Sequence, residues 1–146
     1  MNTLKKPYEI SIWDTASTTN GPVEKKFLVI GSNKMKTPGR VLEPQLTINT
    51  NGTKKLTFKM YKKYLDPRTG ERVDNTFSNH LFNERKVKLY YEDKWYDFIV
   101  KNIQETSTNF LYVYQLEDAL VSELSKNGFG VILDSELGSG GMGTSK

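Results

Sequence analysis

The chain has 146 residues, long enough for one domain with a core of its own and short of two ordinary ones. With no cysteine and a single histidine it cannot build a disulfide framework, a thiolate metal site, a cysteine nucleophile or a multi-histidine metal centre. Net charge is +4, and no apolar run approaches the ~18 residues of a membrane-spanning helix.

Tyr8–Trp13 reads as a first strand, and the polar stretch Thr15 to Pro22 as the turn that leads into a second, short apolar strand, Phe27–Ile30. Lys5 and Lys6 precede these strands with no apolar stretch behind them, so no signal peptide is expected. Gly31 to Gly39 is a loop, punctuated by Pro38-Gly39. The strongest local signal follows. Leu46-Thr47-Ile48-Asn49 turns at Asn51-Gly52 and returns as Leu56-Thr57-Phe58-Lys59-Met60, with Leu56, Phe58 and Met60 on one face and Lys55, Thr57, Lys59 and Tyr61 on the other. A period of two marks a half-buried strand, and Asn-Gly marks a tight hairpin.

Tyr64-Leu65 leads into the loop Asp66 to Gly70, after which Arg72-Val73 can pair back briefly. Thr76 to Glu84 is open between a short helix, with Phe77, Leu81 and Phe82 inward, and an irregular bridge between sheets. Val87–Tyr91, a turn at Glu92-Asp93-Lys94 and Trp95–Val100 form a second clear hairpin. Glu105 to Asn109 turns the chain again, and Phe110–Tyr114 is a strand. A helix is expected from Leu116 to Lys126, because Leu116, Ala119, Leu120 and Leu124 share one face and Asn127-Gly128 provides a stop. Val131-Ile132-Leu133 reads as a last short strand or docked segment.

The expected class is mainly β: antiparallel hairpins forming two small sheets or a partly open barrel, with the C-terminal helix packed against it. Residues 1–137 make one β-rich domain, and 138–146 a flexible Gly/Ser-rich tail.

Nothing in this pattern builds an active site. His80 has no acid at helical metal-ligand spacing, and it is expected to be structural or solvent-facing. The acids are dispersed, mostly in turns, and the glycines match neither a P-loop nor a dinucleotide fingerprint. No catalytic residue, metal or cofactor is expected.

Charge is the more informative property. Residues 34 to 63 carry Lys34, Lys36, Arg40, Lys54, Lys55, Lys59, Lys62 and Lys63 against Glu43 alone, whereas residues 102 to 146 carry six acids against Lys126 and Lys146. The candidate interaction surface is Lys54, Lys55, Lys59, Tyr61, Lys62 and Lys63. Interleaved cations and aromatics suit single-stranded nucleic acid. The same stripe also fits the outer face of an amphipathic strand, its lysines discouraging edge pairing, or a contact with the acidic surface of a neighbouring copy. Tyr90-Tyr91 and Trp95-Tyr96 suit sugar stacking or, equally, cross-strand packing.

The run Phe82-Asn-Glu-Arg-Lys-Val-Lys-Leu-Tyr-Tyr-Glu-Asp-Lys-Trp-Tyr-Asp-Phe-Ile-Val-Lys-Asn-Ile-Gln-Glu105, with the opening Tyr8–Asp14 and the Asn51-Gly52-Thr53 hairpin, resembles the N-terminal region of large minor structural proteins of tailed bacteriophages and prophages. These are tail-tip, baseplate-hub or tail-associated proteins. The resemblance spans roughly residues 7 to 137. It implies a β-barrel-like hub domain that forms a ring at the tail end and binds neighbouring tail proteins. It also implies a location in the virion tail after assembly in the host bacterial cytoplasm. Such proteins usually continue into further domains, where any peptidoglycan cleavage would reside; here a Gly-rich stretch stands in their place. A structural role follows from the resemblance, with a nucleic-acid-binding module on residues 54–64 as the alternative.

Overall fold

The computed structural model describes residues 2–106 and 110–120, and it is strand-rich and antiparallel. Ten strands occur among these residues: β1 (Asn2–Thr3), β2 (Tyr8–Thr18), β3 (Gly21–Ser32), β4 (Leu42–Ile48), β5 (Lys54–Tyr61), β6 (Lys63–Leu65), β7 (Arg72–Asp74), β8 (Lys86–Tyr91), β9 (Lys94–Thr106) and β10 (Leu111–Asp118). Eight of them form one sheet in the order β1-β4-β5-β10-β9-β8-β2-β3, and β6 and β7 form a separate ribbon. One large open sheet therefore takes the place of two small ones. It is not a closed barrel, but it curls: the Val41 amide donates to the Ile30 carbonyl at 2.9 Å, joining the end of β3 to the segment before β4. Gly31 lies so close to Val41 at this seam that a Cβ on it would stand 2.7 Å from the valine Cβ.

The curl encloses one core to which nearly every strand of the sheet contributes. Ile10 and Ile12 of β2, Ile30 of β3, Leu56, Phe58 and Met60 of β5, Val87 and Leu89 of β8, Phe98 and Val100 of β9, and Tyr114 and Leu116 of β10 are all buried. The Phe58 and Tyr114 rings meet at 5.2 Å between centroids. Burial pushes the Tyr114 hydroxyl pKa well above its ordinary value, and Tyr112 adds to the shift. Register breaks keep side chains in phase. A shift between Gln115 and Leu116 pairs Leu116 with Val100 and Tyr114 with Ile103, so residues three apart on β9 both reach the core.

The two hairpins read from sequence are present. Gly52 has φ 89° in the turn between β4 and β5. The β8–β9 turn is tighter than expected, because Tyr91 pairs with Lys94 and only Glu92 and Asp93 lie between them, both at positive φ. Arg72 and Val73 pair back onto Leu65 and Tyr64. Thr76–His80 is a short 3₁₀ turn; Leu81 after it is buried, Phe77 packs against the core, and Phe82 points outward at 52% exposure.

Two expectations are corrected. The stretch Thr15 to Pro22 is not a loop. β2 and β3 run on to Thr18 and Gly21, pairing throughout, while β8 pairs with β2 only from Tyr8 to Ile12. Trp13–Thr18 and Gly21–Lys26 thus leave the sheet as a two-stranded arm, about 20 Å long at ~3.3 Å per residue. The second correction concerns the helix placed at Leu116–Lys126. β10 continues through Asp118, because Tyr112, Tyr114 and Leu116 share the inward period of two. Helical geometry begins only at Ala119, and Leu120 is 64% exposed. Residues 121–126, the segment Val131-Ile132-Leu133 and the tail 138–146 lie outside the described residues.

Candidate interaction surfaces

The lysine stripe predicted from sequence sits on β5 and the start of β6. β5 is an interior strand between β4 and β10, so these lysines guard no sheet edge. Most are paired within the chain. Lys59 Nζ lies 3.5 Å from Glu43, Lys62 2.7 Å from Glu105, Lys63 3.2 Å from Asp74, and Lys54 3.9 Å from Asp118. Lys62 also stands over the Tyr112 ring at 5.6 Å, and Lys54 over Tyr96 at 5.9 Å. Lys55 has no ion pair among the described residues, although Glu117 is its register partner on β10. Tyr61 is exposed and lines an apolar recess with Tyr64, Leu65 and Phe110. The structure divides the stripe, with Lys54 and Lys62 stacked on the core-side rings of Tyr96 and Tyr112 and Lys55, Lys59 and Tyr61 on the opposite face of β5, and it largely neutralises the lysines, using acids from residues 43, 74, 105 and 118. Phosphate contact needs cations that are not already satisfied.

The edge problem is managed on β3 instead. This edge strand carries Pro22, Lys25 and Lys26, and its register with β2 skips at Phe27 and at Ile30. Proline, lysine and bulges are the devices that blunt an exposed strand edge.

Where the arm leaves the sheet, two aromatic clusters form. On the outer face Trp13, Trp95 and Tyr90 meet, with centroids 5.7 Å apart for Trp13–Trp95 and 4.9 Å for Tyr90–Trp95. Lys88 Nζ stands 4.3 Å from the Trp13 ring centre. The Trp13 indole N–H donates to Ser11 Oγ at 2.9 Å, which seals that buried serine under the ring. Glu24 reaches back from the arm to accept hydrogen bonds from Lys86 and Lys88, and these hold its carboxyl below the ordinary value. Burial pulls the Lys88 pKa down, but Glu24 and Asp97 outweigh it and the net shift is upward. These cross-strand contacts account for Tyr90 and Trp95 as packing groups.

On the other side of the arm, Arg85 is clasped between Phe27 and Phe82, at 5.6 and 5.3 Å from the ring centres. It pairs with Asp14 at 2.7 Å, and His80 meets Phe27 edge-on at 5.0 Å. The register places Ala16 and Val23 on the same side of the arm as Asp14. Val23, Phe27 and Phe82 are exposed, which makes this the most apolar exposed face near the arm. His80 is therefore an aromatic packing partner of Phe27. No group of three or more potential metal ligands occurs among the described residues.

A groove of about 770 Å³ lies beside β6 and β7 and is lined by Lys62, Lys63, Arg72, Asp74, Glu105 and Phe110. Its lysines and acids are the Lys62–Glu105 and Lys63–Asp74 pairs already described, and Arg72 stacks over Phe110 at 5.8 Å. Sequence reasoning missed the arm and the Arg85 clasp. The only available signals were the Phe82–Arg85 spacing and the β-branched residues of the arm. No family model, curated protein or solved structure matches this chain.

Proposed function

We propose that the chain is a structural component of a bacteriophage or prophage tail, similar to a tail-tip or baseplate-hub domain, that self-associates and binds neighbouring tail proteins in the virion. It performs no catalysis. The reading draws on the sequence resemblance, whose longest phrase falls on the β8–β9 hairpin. The observation that carries it is the arm. A two-stranded ribbon is marginal alone in water, and this one is exposed along most of both strands. Its guarded edge disfavours strand addition, so its faces, with Val23, Phe27 and Phe82 around Arg85, are the contact surface. Aromatic and arginine side chains are the groups that anchor protein interfaces. The nucleic-acid alternative on residues 54–64 loses ground, because four of its five lysines are ion-paired.

The test is mass measurement by sedimentation across concentration, at low and high salt. A variant in which residues 15–24 are replaced by Asn-Gly joins Asp14 to its register partner Lys25 through a two-residue turn. The full chain is expected to form a concentration-dependent oligomer, and the shortened one to remain folded and monomeric. A full chain that stays monomeric at every concentration and fails to bind tail proteins refutes the reading.

A further inference from the structure

A second group of cations lies outside the β5 stripe. Lys34, Lys36 and Arg40 lie in the loop between β3 and β4, and Lys5 and Lys6 in the segment between β1 and β2. The two segments meet. The Leu4 amide donates to the Pro44 carbonyl at 3.2 Å and the Tyr8 amide to Asn33 Oδ1 at 3.1 Å, pinning the Lys5-Lys6 segment beside the loop. Arg40 is near enough to the Tyr8 hydroxyl to oppose the rise that burial causes in its pKa. The loop is ordered by its own turns, with Met35 N bonded to Ser32 O, Arg40 N to Thr37 O, and Lys34 N to Ser32 Oγ.

Among the described residues Lys5, Lys34, Lys36 and Arg40 have no ion pair, and Lys6 has one loose contact, 3.9 Å from Glu92. Glu9, which faces Ser32 across the β2–β3 register, is committed to Lys26 at 2.6 Å. The result is an uncompensated cationic patch on one end of the sheet, with Ser32, Asn33 and Thr37 interleaved among the charges.

We infer that this patch binds the phosphate backbone of double-stranded nucleic acid without sequence preference. The composition decides between polyanions. Protein contact surfaces are depleted in lysine and built around aromatic, methionine and arginine anchors, whereas backbone phosphates are held by lysine and arginine with serine, threonine and asparagine. None of the exposed large apolar side chains falls in residues 4–8 or 31–41. No exposed ring is offered for base stacking, so the contact is with duplex phosphates and not with unstacked bases. This inference is independent of the proposed assembly role, which uses the arm.

Anisotropy of a fluorescein-labelled mixed-sequence 20-base-pair duplex, titrated with the full chain, tests it. Five cations set a slope of roughly −4.5 in log affinity against log salt, so affinity should fall roughly 500-fold between 50 and 200 mM salt. Lys34→Glu with Lys36→Glu should weaken binding more than tenfold and flatten the slope, and Lys5→Ala with Lys6→Ala should also weaken it. Lys55→Glu with Lys59→Glu should change it less than threefold. Circular dichroism checks that each variant is folded, and sedimentation of the same variants should show self-association unchanged. The inference is overturned by no binding at 50 mM salt, by equal losses in the Lys34/Lys36 and Lys55/Lys59 pairs, or by poly-L-glutamate competing as well as the duplex per unit charge. That last result would mark the patch as a docking surface for an acidic protein.

Discussion

Asn75 is the buried polar residue on which the β6–β7 end of the fold depends, and substituting it should be costly in a way that depends on the replacement. It is 1% exposed. Its Nδ2 donates to the Gly39 carbonyl at 2.9 Å and the Tyr61 carbonyl at 2.8 Å, and its Oδ1 accepts from the Phe77 amide at 3.0 Å. Its own amide donates to the Lys62 carbonyl at 2.9 Å. One side chain thus ties the loop before β4, the end of β5 and the 3₁₀ turn together. Only a glycine fits opposite, since a Cβ at residue 39 would stand 2.5 Å from Oδ1. Asn75→Ala strands two carbonyls and one amide. At ~1–3 kcal/mol for each buried group left unpaired, discounted for water that enters, the loss is on the order of 3–4 kcal/mol, or roughly 10 °C in Tm. Asn75→Asp keeps the shape but turns an acceptor towards two carbonyl oxygens. Its folded-state pKa must rise above the ordinary ~3.9. A carboxyl with a raised folded pKa binds its proton more tightly in the folded chain, so the variant loses stability as pH rises above ~4. Thermal unfolding followed by circular dichroism at pH 4 and pH 7 reads both effects. The expected pattern is that Asn75→Asp loses stability relative to Asn75→Ala between pH 4 and pH 7. A loss below ~0.5 kcal/mol for alanine, or parallel pH curves for aspartate and the unsubstituted chain, would refute this account.

Other expectations follow from the same geometry. Asp93 holds φ 62° in a two-residue hairpin turn, so Asp93→Gly should raise stability by about 0.5–1 kcal/mol in urea unfolding. Glu24 has a depressed pKa, so the stability it contributes is present above the ordinary carboxylate range near ~4.3 and is lost as pH falls through its folded value. Glu24→Gln should therefore flatten the acid limb of a Tm-against-pH profile while changing little at pH 2. Leu120→Ala should cost less than ~0.5 kcal/mol by denaturant titration, because the side chain is largely exposed; Leu89→Ala, fully buried on β8, should cost ~2–5 kcal/mol in the same assay.

What could be read in advance was whatever produced a one-sided pattern. Leu56, Phe58 and Met60 alternate with solvated residues because only one face of β5 meets the core, and Val87 and Leu89 do the same on β8. The arm gave no such signal. Both of its faces are wet, so Thr15 to Thr18 and Pro22 to Lys26 look like a loop to any test based on burial. Leu116 satisfies two periods at once, every second residue with Tyr112 and Tyr114 or every third and fourth with Ala119 and Leu120, and tertiary pairing with Val100 and Leu56 decides for the strand. The alternation of β5 places Lys55, Lys59 and Tyr61 on its outer face, but the ion pairing of the lysine stripe is not legible in it. Neutralisation by Glu43, Asp74, Glu105 and Asp118 depends on which strands become neighbours, a property absent from local spacing. For the same reason Lys5-Lys6 and Lys34-Lys36 look unrelated in the chain and become adjacent only through the bonds at Leu4 and Tyr8.

The strand order has a consequence for how the molecule can be made. β10, the last strand to be synthesised among the described residues, lies between β5 and β9 and hydrogen-bonds to both. Until Leu111–Asp118 has left the ribosome, the β4–β5 pair and the β9-β8-β2-β3 group meet only at the Ile30–Val41 seam, each with the core face of Leu56 and Phe58 or of Phe98 and Val100 open to water. Nascent chains arrested before residue 111 should therefore recruit holding chaperones and resist folding, and completion should be governed by insertion of a central strand between two waiting edges. Such long-range closure is slow. The chain thus spends its early life with a cleft whose sides match any β-strand that arrives first, including the β10 of a sister chain on the same messenger.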